Sequence, residues 1–88
     1  MKVSVFGLGY VGLTFGVCLA SRGFKAIGVD VESGKVEAVN RGEAPFYEPG
    51  LSELLRDALE RGLFRATTDA RGAVLASDVT FICVGTPS

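Results

Sequence analysis

The sequence predicts an α/β fold, a parallel sheet with helices on both faces, and three observations lead to it. Strand-like and helix-like segments alternate along all 88 residues. A glycine-rich turn joins the first strand to the first helix, and the last strand-like run, Val79–Val84, is apolar at every position but Thr80. Parallel strands need crossover connections that carry helices, so alternation of this kind points to a parallel sheet. A strand without polar alternation reads as covered on both faces.

Taken in order, Lys2–Phe6 alternates weakly and meets Gly7, a strand ending in a turn. Val11–Arg22 follows as a helix that Gly23 stops. Its small residues Gly12, Gly16 and Ala20 are spaced by four, so they share one face and let the helix backbone come close to a sheet. Glycine inside a helix costs roughly 1 kcal/mol against alanine, so tight packing or a nearby ligand must offset two of them. Lys25–Val29 is the second strand, closed by Asp30, and Ser33–Arg41 the second helix, with Val36 and Val39 facing inward and Gly42 just past its end.

Glu43–Gly50 holds two prolines and reads as a loop. Leu51, Leu54, Leu55, Ala58 and Leu59 then fall on one helical face, with Pro49 near the first turn and Gly62 beyond the end. Phe64–Thr67 is a short third strand, Asp69 caps a short helix over Ala70–Ala76, and Val79–Val84 is the fourth strand. Right-handed crossovers order these strands 3-2-1-4, a partial Rossmann sheet that stops before a fifth and a sixth strand. The expectation is that residues 1–88 are the amino-terminal part of a dinucleotide-binding domain in a longer enzyme. The alternative is that the exposed fourth strand pairs with a second copy in a homo-oligomer.

Composition narrows the function. Hydrophobic residues make up 48% and charged residues 22%, which suits one compact domain rather than a disordered chain. The net charge of −1, with basic residues scattered singly, argues against nucleic acid or an anionic membrane as partner. No apolar run approaches the ~18–20 residues that span a bilayer, and the start lacks a secretory leader pattern, so a cytoplasmic location is expected. There is no histidine, which excludes imidazole catalysis within this chain, and two cysteines make neither a disulfide framework nor a metal site.

Gly7-Leu8-Gly9-Tyr10-Val11-Gly12 matches G-x-G-x-x-G where that pattern carries meaning, after a strand and opening a helix. Gly7 permits the tight turn, Gly9 lets a pyrophosphate approach bare backbone, and Gly12 lets helix and strand pack closely. Amides around Tyr10 and Val11 then point at the phosphates, with the helix dipole behind them. Asp30 ends the second strand where the pattern expects an acid for the adenosine ribose hydroxyls. It would repel a 2′-phosphate, and no arginine follows directly, so NAD is expected rather than NADP. Lys35, one helical turn on, has two readings: a contact to the ribose or a phosphate, or a solvated helix charge. Thr86, after the fourth strand, lies at the carboxyl edge where ligands of open sheets bind, and its alternative is an ordinary Gly-Thr-Pro turn.

Five segments, Gly7–Leu13 (GLGYVGL), Gly28-Val29-Asp30, Tyr47–Leu51 (YEPGL), Thr67-Thr68-Asp69 and Val84–Pro87 (VGTP), occur in this order. Together they resemble the amino-terminal domain of the UDP-glucose/GDP-mannose dehydrogenase family, over essentially the whole chain. The resemblance implies two successive NAD-dependent oxidations of a nucleotide sugar's C6 alcohol to a carboxylate, with UDP-glucose placed ahead of GDP-mannose. It implies cofactor contacts at Gly7, Gly9, Tyr10, Val11, Gly12, Asp30 and Lys35, and near Val84, Gly85 and Thr86. It also implies that the sugar nucleotide and the catalytic residues belong to other domains. The family's nucleophilic cysteine sits in a glycine-rich context before proline and lysine, which neither Cys18 nor Cys83 matches. Both are expected to act as small hydrophobes, Cys18 in the first helix and Cys83 in a buried strand. The competing readings are another Rossmann oxidoreductase and an NAD-sensing module without chemistry.

Overall fold

The computed structural model describes residues 1–44 and 48–83. Four strands, β1 (Lys2–Phe6), β2 (Lys25–Val29), β3 (Phe64–Thr67) and β4 (Val79–Ile82), form one parallel sheet in the order β3-β2-β1-β4. The helices are α1 (Tyr10–Ser21), α2 (Ser33–Asn40), α3 (Leu51–Glu60) and α4 (Ala70–Leu75). The expected order and type of every element hold. Boundaries differ slightly: α1 starts at Tyr10 and ends at Ser21, α2 ends at Asn40 and α4 at Leu75.

Side-chain alternation along the strands divides the interior in two. Ala26, Phe64 and Ala66 face α1, α2 and α3, and join Leu8, Leu13, Val17, Val36, Val39, Leu51, Leu55 and Ala58 in the main core. Ile27 and Val29 face the other way, onto Ala73 of α4 with Phe6 beside them. Burying apolar surface stabilises the fold by about 25 cal/mol per Å², so the thicker core on the α1–α3 side supplies most of that driving force.

The buried face of α1 is the one its small residues predicted, Gly12, Gly16 and Ala20 together with Leu13 and Val17. A Cβ on Gly16 would lie 2.9 Å from the Phe64 ring, so the aromatic side chain fills the space that glycine leaves. Helices α1, α2 and α3 each end at a glycine with positive φ, Gly23, Gly42 and Gly62. A left-handed residue there turns the chain back without a Cβ penalty.

Three features were not read from the sequence. Ser4 is fully buried in β1, and its hydroxyl meets Ser77 Oγ at 2.9 Å and Thr80 Oγ1 at 2.7 Å, so its polarity is satisfied. Asn40 acts as a substitute strand on the outer edge of β3. Its Nδ2 donates to the Ala66 carbonyl and its Oδ1 accepts from the Ala66 N–H, both at 2.9 Å.

β4 supplies the third feature and corrects an expectation. It was expected to be covered on both faces, yet every one of its residues is exposed, Ile82 by 66%. It pairs with β1 on one side only, and the edge-to-face contact of Phe81 with Phe15, centroids 4.9 Å apart, is its aromatic anchor to α1. Cys83 follows the strand and is half-buried rather than part of a covered core, while Cys18 on α1 is exposed and not the packed hydrophobe expected. The expected last strand residue, Val84, lies outside the described residues.

Candidate functional site

The carboxyl ends of β1 and β2 meet at the glycine turn. Gly7 has φ +97°, a left-handed conformation that glycine adopts freely, and its N–H donates to the Val29 carbonyl at 2.8 Å. This bond swings the turn over the end of β2. Leu8 then sends its side chain into the core, fully buried, while its N–H donates to Asp30 Oδ2 at 2.9 Å. Gly9 caps α1 with no side-chain bond, and a Cβ built on it would meet nothing within 4 Å. The backbone there is bare and open, as a pyrophosphate approach needs.

The first hydrogen bond of α1 runs from Leu13 N–H to the Gly9 carbonyl at 3.0 Å. The amides of Tyr10, Val11 and Gly12 therefore lie ahead of the helical ladder and aim past its amino end, and the first turn carries no acidic residue to compete with an anion. Gly12 is required for another reason. A Cβ on it would run into the Gly7 carbonyl oxygen, so only glycine lets the helix start this close to the turn.

Asp30 lies on the same end of the sheet as this turn, and its carboxylate is tightly organised. Oδ2 accepts from Leu8 N–H, Oδ1 accepts from Glu32 N–H at 3.0 Å, and Lys35 Nζ stands 3.6 Å from Oδ2. Burial pushes the carboxyl pKa up, but the Glu32 and Leu8 amides and the Lys35 ammonium outweigh it and hold the group below its ordinary value. Asp30 is thus a fixed anion whose remaining lone pairs can accept from ribose hydroxyls. Lys35 also reaches Glu32 at 3.7 Å, so it is a bridge between two carboxylates rather than a purely solvated charge.

Beside Asp30 a cleft of about 160 Å³ is lined by Phe6, Gly7, Val29, Val31, Thr68 and Ala70. Its mostly apolar wall suits the flat face of an adenine. A second cleft, of about 190 Å³, lies at the opposite edge of the sheet among Lys2, Lys25, Leu63 and Arg65, far from the turn. The strand-end rule for open α/β sheets selects the first.

Tyr10 brings in Glu48, which the sequence analysis names only as part of the YEPGL segment. The nearby Glu48 carboxylate, by hydrogen bonding and then by its charge, and last burial hold the phenol above its ordinary pKa. Of the expected contact residues, Gly7, Gly9, Tyr10, Val11, Gly12, Asp30 and Lys35 thus gather at one end of the sheet. Val84, Gly85 and Thr86 lie outside the described residues. Thr68 and Ala70 were missed as cleft residues, although their place just after β3, at the carboxyl edge, was the available signal.

A glycine turn with open backbone, a helix amino end behind it and a fixed acid at the tip of the adjacent strand define a dinucleotide-binding Rossmann domain. The comparisons make this particular. A family model described as the UDP-glucose/GDP-mannose dehydrogenase family, NAD binding domain, matches residues 1–88, and the chain belongs to that family. It is 53% identical to a GDP-mannose 6-dehydrogenase of Pseudomonas aeruginosa, over all of this chain and 20% of the relative. A UDP-glucose 6-dehydrogenase of Rhizobium meliloti is 47% identical over the same shares.

Among solved structures, a ternary complex of GDP-mannose dehydrogenase from P. aeruginosa superposes with a TM-score of 0.97, covering 100% of this chain and 20% of that one. A UDP-glucose dehydrogenase from Pyrobaculum islandicum gives 0.93 at 45% identity, over 98% and 20%. The chain therefore spans about one fifth of the length of these relatives, and its cofactor is NAD.

Proposed function

We propose that residues 1–88 form the amino-terminal, NAD-holding part of a nucleotide-sugar 6-dehydrogenase, whose sugar site and catalytic residues belong to further domains. The observation that carries this reading is the joint between turn and acid, the Leu8 N–H bonded to Asp30 with Gly9 open beside it. In this reading Gly7 and Gly9 offer backbone to the pyrophosphate, and the amides of Tyr10, Val11 and Gly12 bind it. Asp30, steadied by Lys35, takes the ribose, with Val84, Gly85 and Thr86 completing the site. Bound NAD supplies the hydride acceptor for both oxidations. For the sugar we favour GDP-mannose over the UDP-glucose expected from the sequence, a choice supported by 53% identity to a GDP-mannose 6-dehydrogenase against 47% to a UDP-glucose 6-dehydrogenase.

No helix among the described residues is long and apolar enough to cross a membrane, and a cytoplasmic, homo-oligomeric enzyme fits this reading. Calorimetry tests the cofactor assignment. The chain is expected to bind NAD and to bind NADP at least about tenfold more weakly. Asp30→Ala is expected to lower NAD affinity by about tenfold or more, the scale of one charged hydrogen-bonding group. Equal affinity for the two cofactors, or unchanged binding by Asp30→Ala, defeats the assignment. For the whole enzyme, two NADH per GDP-mannose consumed, against none for UDP-glucose, is the expected stoichiometry.

A further inference from the structure

We propose that the cleft at the amino ends of the strands is a second ligand site, which takes a compact organic phosphate on Lys2, Lys25 and Arg65. It is separate from the cofactor site, which lies at the other end of the same five-residue strands, about 16 Å away.

The sheet register gathers the three cations. Lys2 lies opposite Lys25 on neighbouring strands, and Arg65 lies opposite Ile27. Side chains alternate along a strand, so Lys25 and Ile27 share a face, and Lys2 and Arg65 share it with them. This is the face that α4 covers, through Ala73 packed on Ile27 and Val29. But α4 has six residues, and Ala76, just past its end, is where it meets the cleft. The amino half of the face is left as a recess of about 190 Å³. That room equals about six water molecules, enough for a phosphate with a small ring but not for a dinucleotide.

No carboxylate among the described residues pairs with these cations. The ion pairs there involve Lys35, Arg41 and Arg61, and neither lysine of the cleft nor Arg65. Asp78 Oδ2 accepts from the Lys2 backbone N–H at 2.9 Å, and Asp78 does not line the cleft. α4 brings the negative end of its dipole nearby, yet the Gly72 and Val74 carbonyls already accept from the Ala76 and Ser77 N–H groups. Like charges side by side on neighbouring strands repel, so an anion between them relieves a repulsion that the empty cleft carries.

The groups present select the ligand's chemistry. Arg65 offers a planar fork that can hold two phosphate oxygens at once, and the lysines add point charges. The wall between them is partly apolar, with Ile27 and Leu63 in it. A bare inorganic anion leaves that wall unused, whereas a phosphate ester can lay its organic part on it.

The experiment is calorimetry of the 88-residue chain with phenyl phosphate and with inorganic phosphate, at low salt and with NAD present at saturation. The variants are Lys25→Glu and Arg65→Glu, each checked for folding by circular dichroism. Phenyl phosphate is expected to bind the parent in about the millimolar range or tighter, and at least about threefold more tightly than inorganic phosphate. Each charge reversal is expected to weaken phenyl phosphate about tenfold or more, and to leave NAD affinity within about twofold of the parent. Amide shifts from a phenyl phosphate titration of the isotope-labelled parent should centre on Lys2, Lys25 and Arg65 and spare Gly9 and Tyr10.

A parent that binds no phenyl phosphate overturns the proposal. So does binding that survives both reversals, or that is no tighter than for inorganic phosphate. The amide shifts keep the test decisive where a variant does not fold, and shifts confined to the glycine turn overturn the second site.

Discussion

Asp30 shows how one side chain serves stability and binding together. Its two oxygens tie the turn after β1 and the entry to α2 to the tip of β2 through the Leu8 and Glu32 amides. A carboxylate held below its ordinary pKa in the folded state contributes stability that is present above the unfolded value and is lost as pH falls through the folded value. Asp30→Asn is therefore expected to cost about 1–2 kcal/mol near pH 7, because charged acceptors make the stronger hydrogen bonds. That difference should begin to shrink below the ordinary value of 3.8 and close only once pH has fallen past the lower folded value, where the folded parent carboxyl is itself protonated. Urea unfolding from pH 7 down to pH 2.5 measures it, and a gap that stays constant with pH contradicts the assignment. The identity and place of Asp30 were legible in the sequence because the fingerprint is local in spacing. Its bond to Leu8 was not, since it depends on how the turn folds over β2.

At the scale of elements, the packing of α1 on the sheet is set by its glycines, and the two buried ones differ in what they exclude. At Gly12 an added methyl meets the backbone carbonyl of Gly7, which cannot move without breaking the turn. At Gly16 it meets the edge of the Phe64 ring, which can tilt. Gly12→Ala is expected to destabilise by about 3 kcal/mol or more and to abolish NAD binding. Gly16→Ala is expected to stay within about 1 kcal/mol of the parent, since the gain in helix propensity offsets the crowding. Chemical denaturation of the two variants checks the ranking, and equal losses refute it.

Elements with strong local signals, α1, α3 and the capped α4, were read correctly; Asp69 does cap α4, its Oδ1 accepting from Gly72 N–H at 3.0 Å. The links between elements were not readable. Asn40 to Ala66 and Ser4 to Ser77 and Thr80 join residues 26 to 76 positions apart, and no local pattern announces them.

Across the whole molecule the two edges of the sheet are treated differently. The β3 edge is occupied by the Asn40 amide, whereas β4 presents Val79, Phe81 and Ile82 to solvent, with Leu75 of α4 exposed as well. An open apolar edge is a template for another strand. The 88-residue chain alone is expected to associate in a concentration-dependent way through β4, and Ile82→Lys to shift it toward monomer in sedimentation velocity. A parent that stays monomeric at about millimolar concentration contradicts this. The apolar run of β4 was read as a covered strand because hydrophobicity reports what a segment would bury. Whether it is buried depends on which neighbours are present.

By itself the sequence determined the element order, the parallel topology, the glycine turn and the acid that faces it, because each is written in spacing, handedness and backbone freedom over short stretches. The tertiary structure alone decided that Leu8 is the link between turn and acid, that the Asn40 amide shields the β3 edge, and that the faces of β4 lie open as well as its expected edge. Those outcomes come from contacts between distant segments, which form only once burial of the core has brought the helices and strands together.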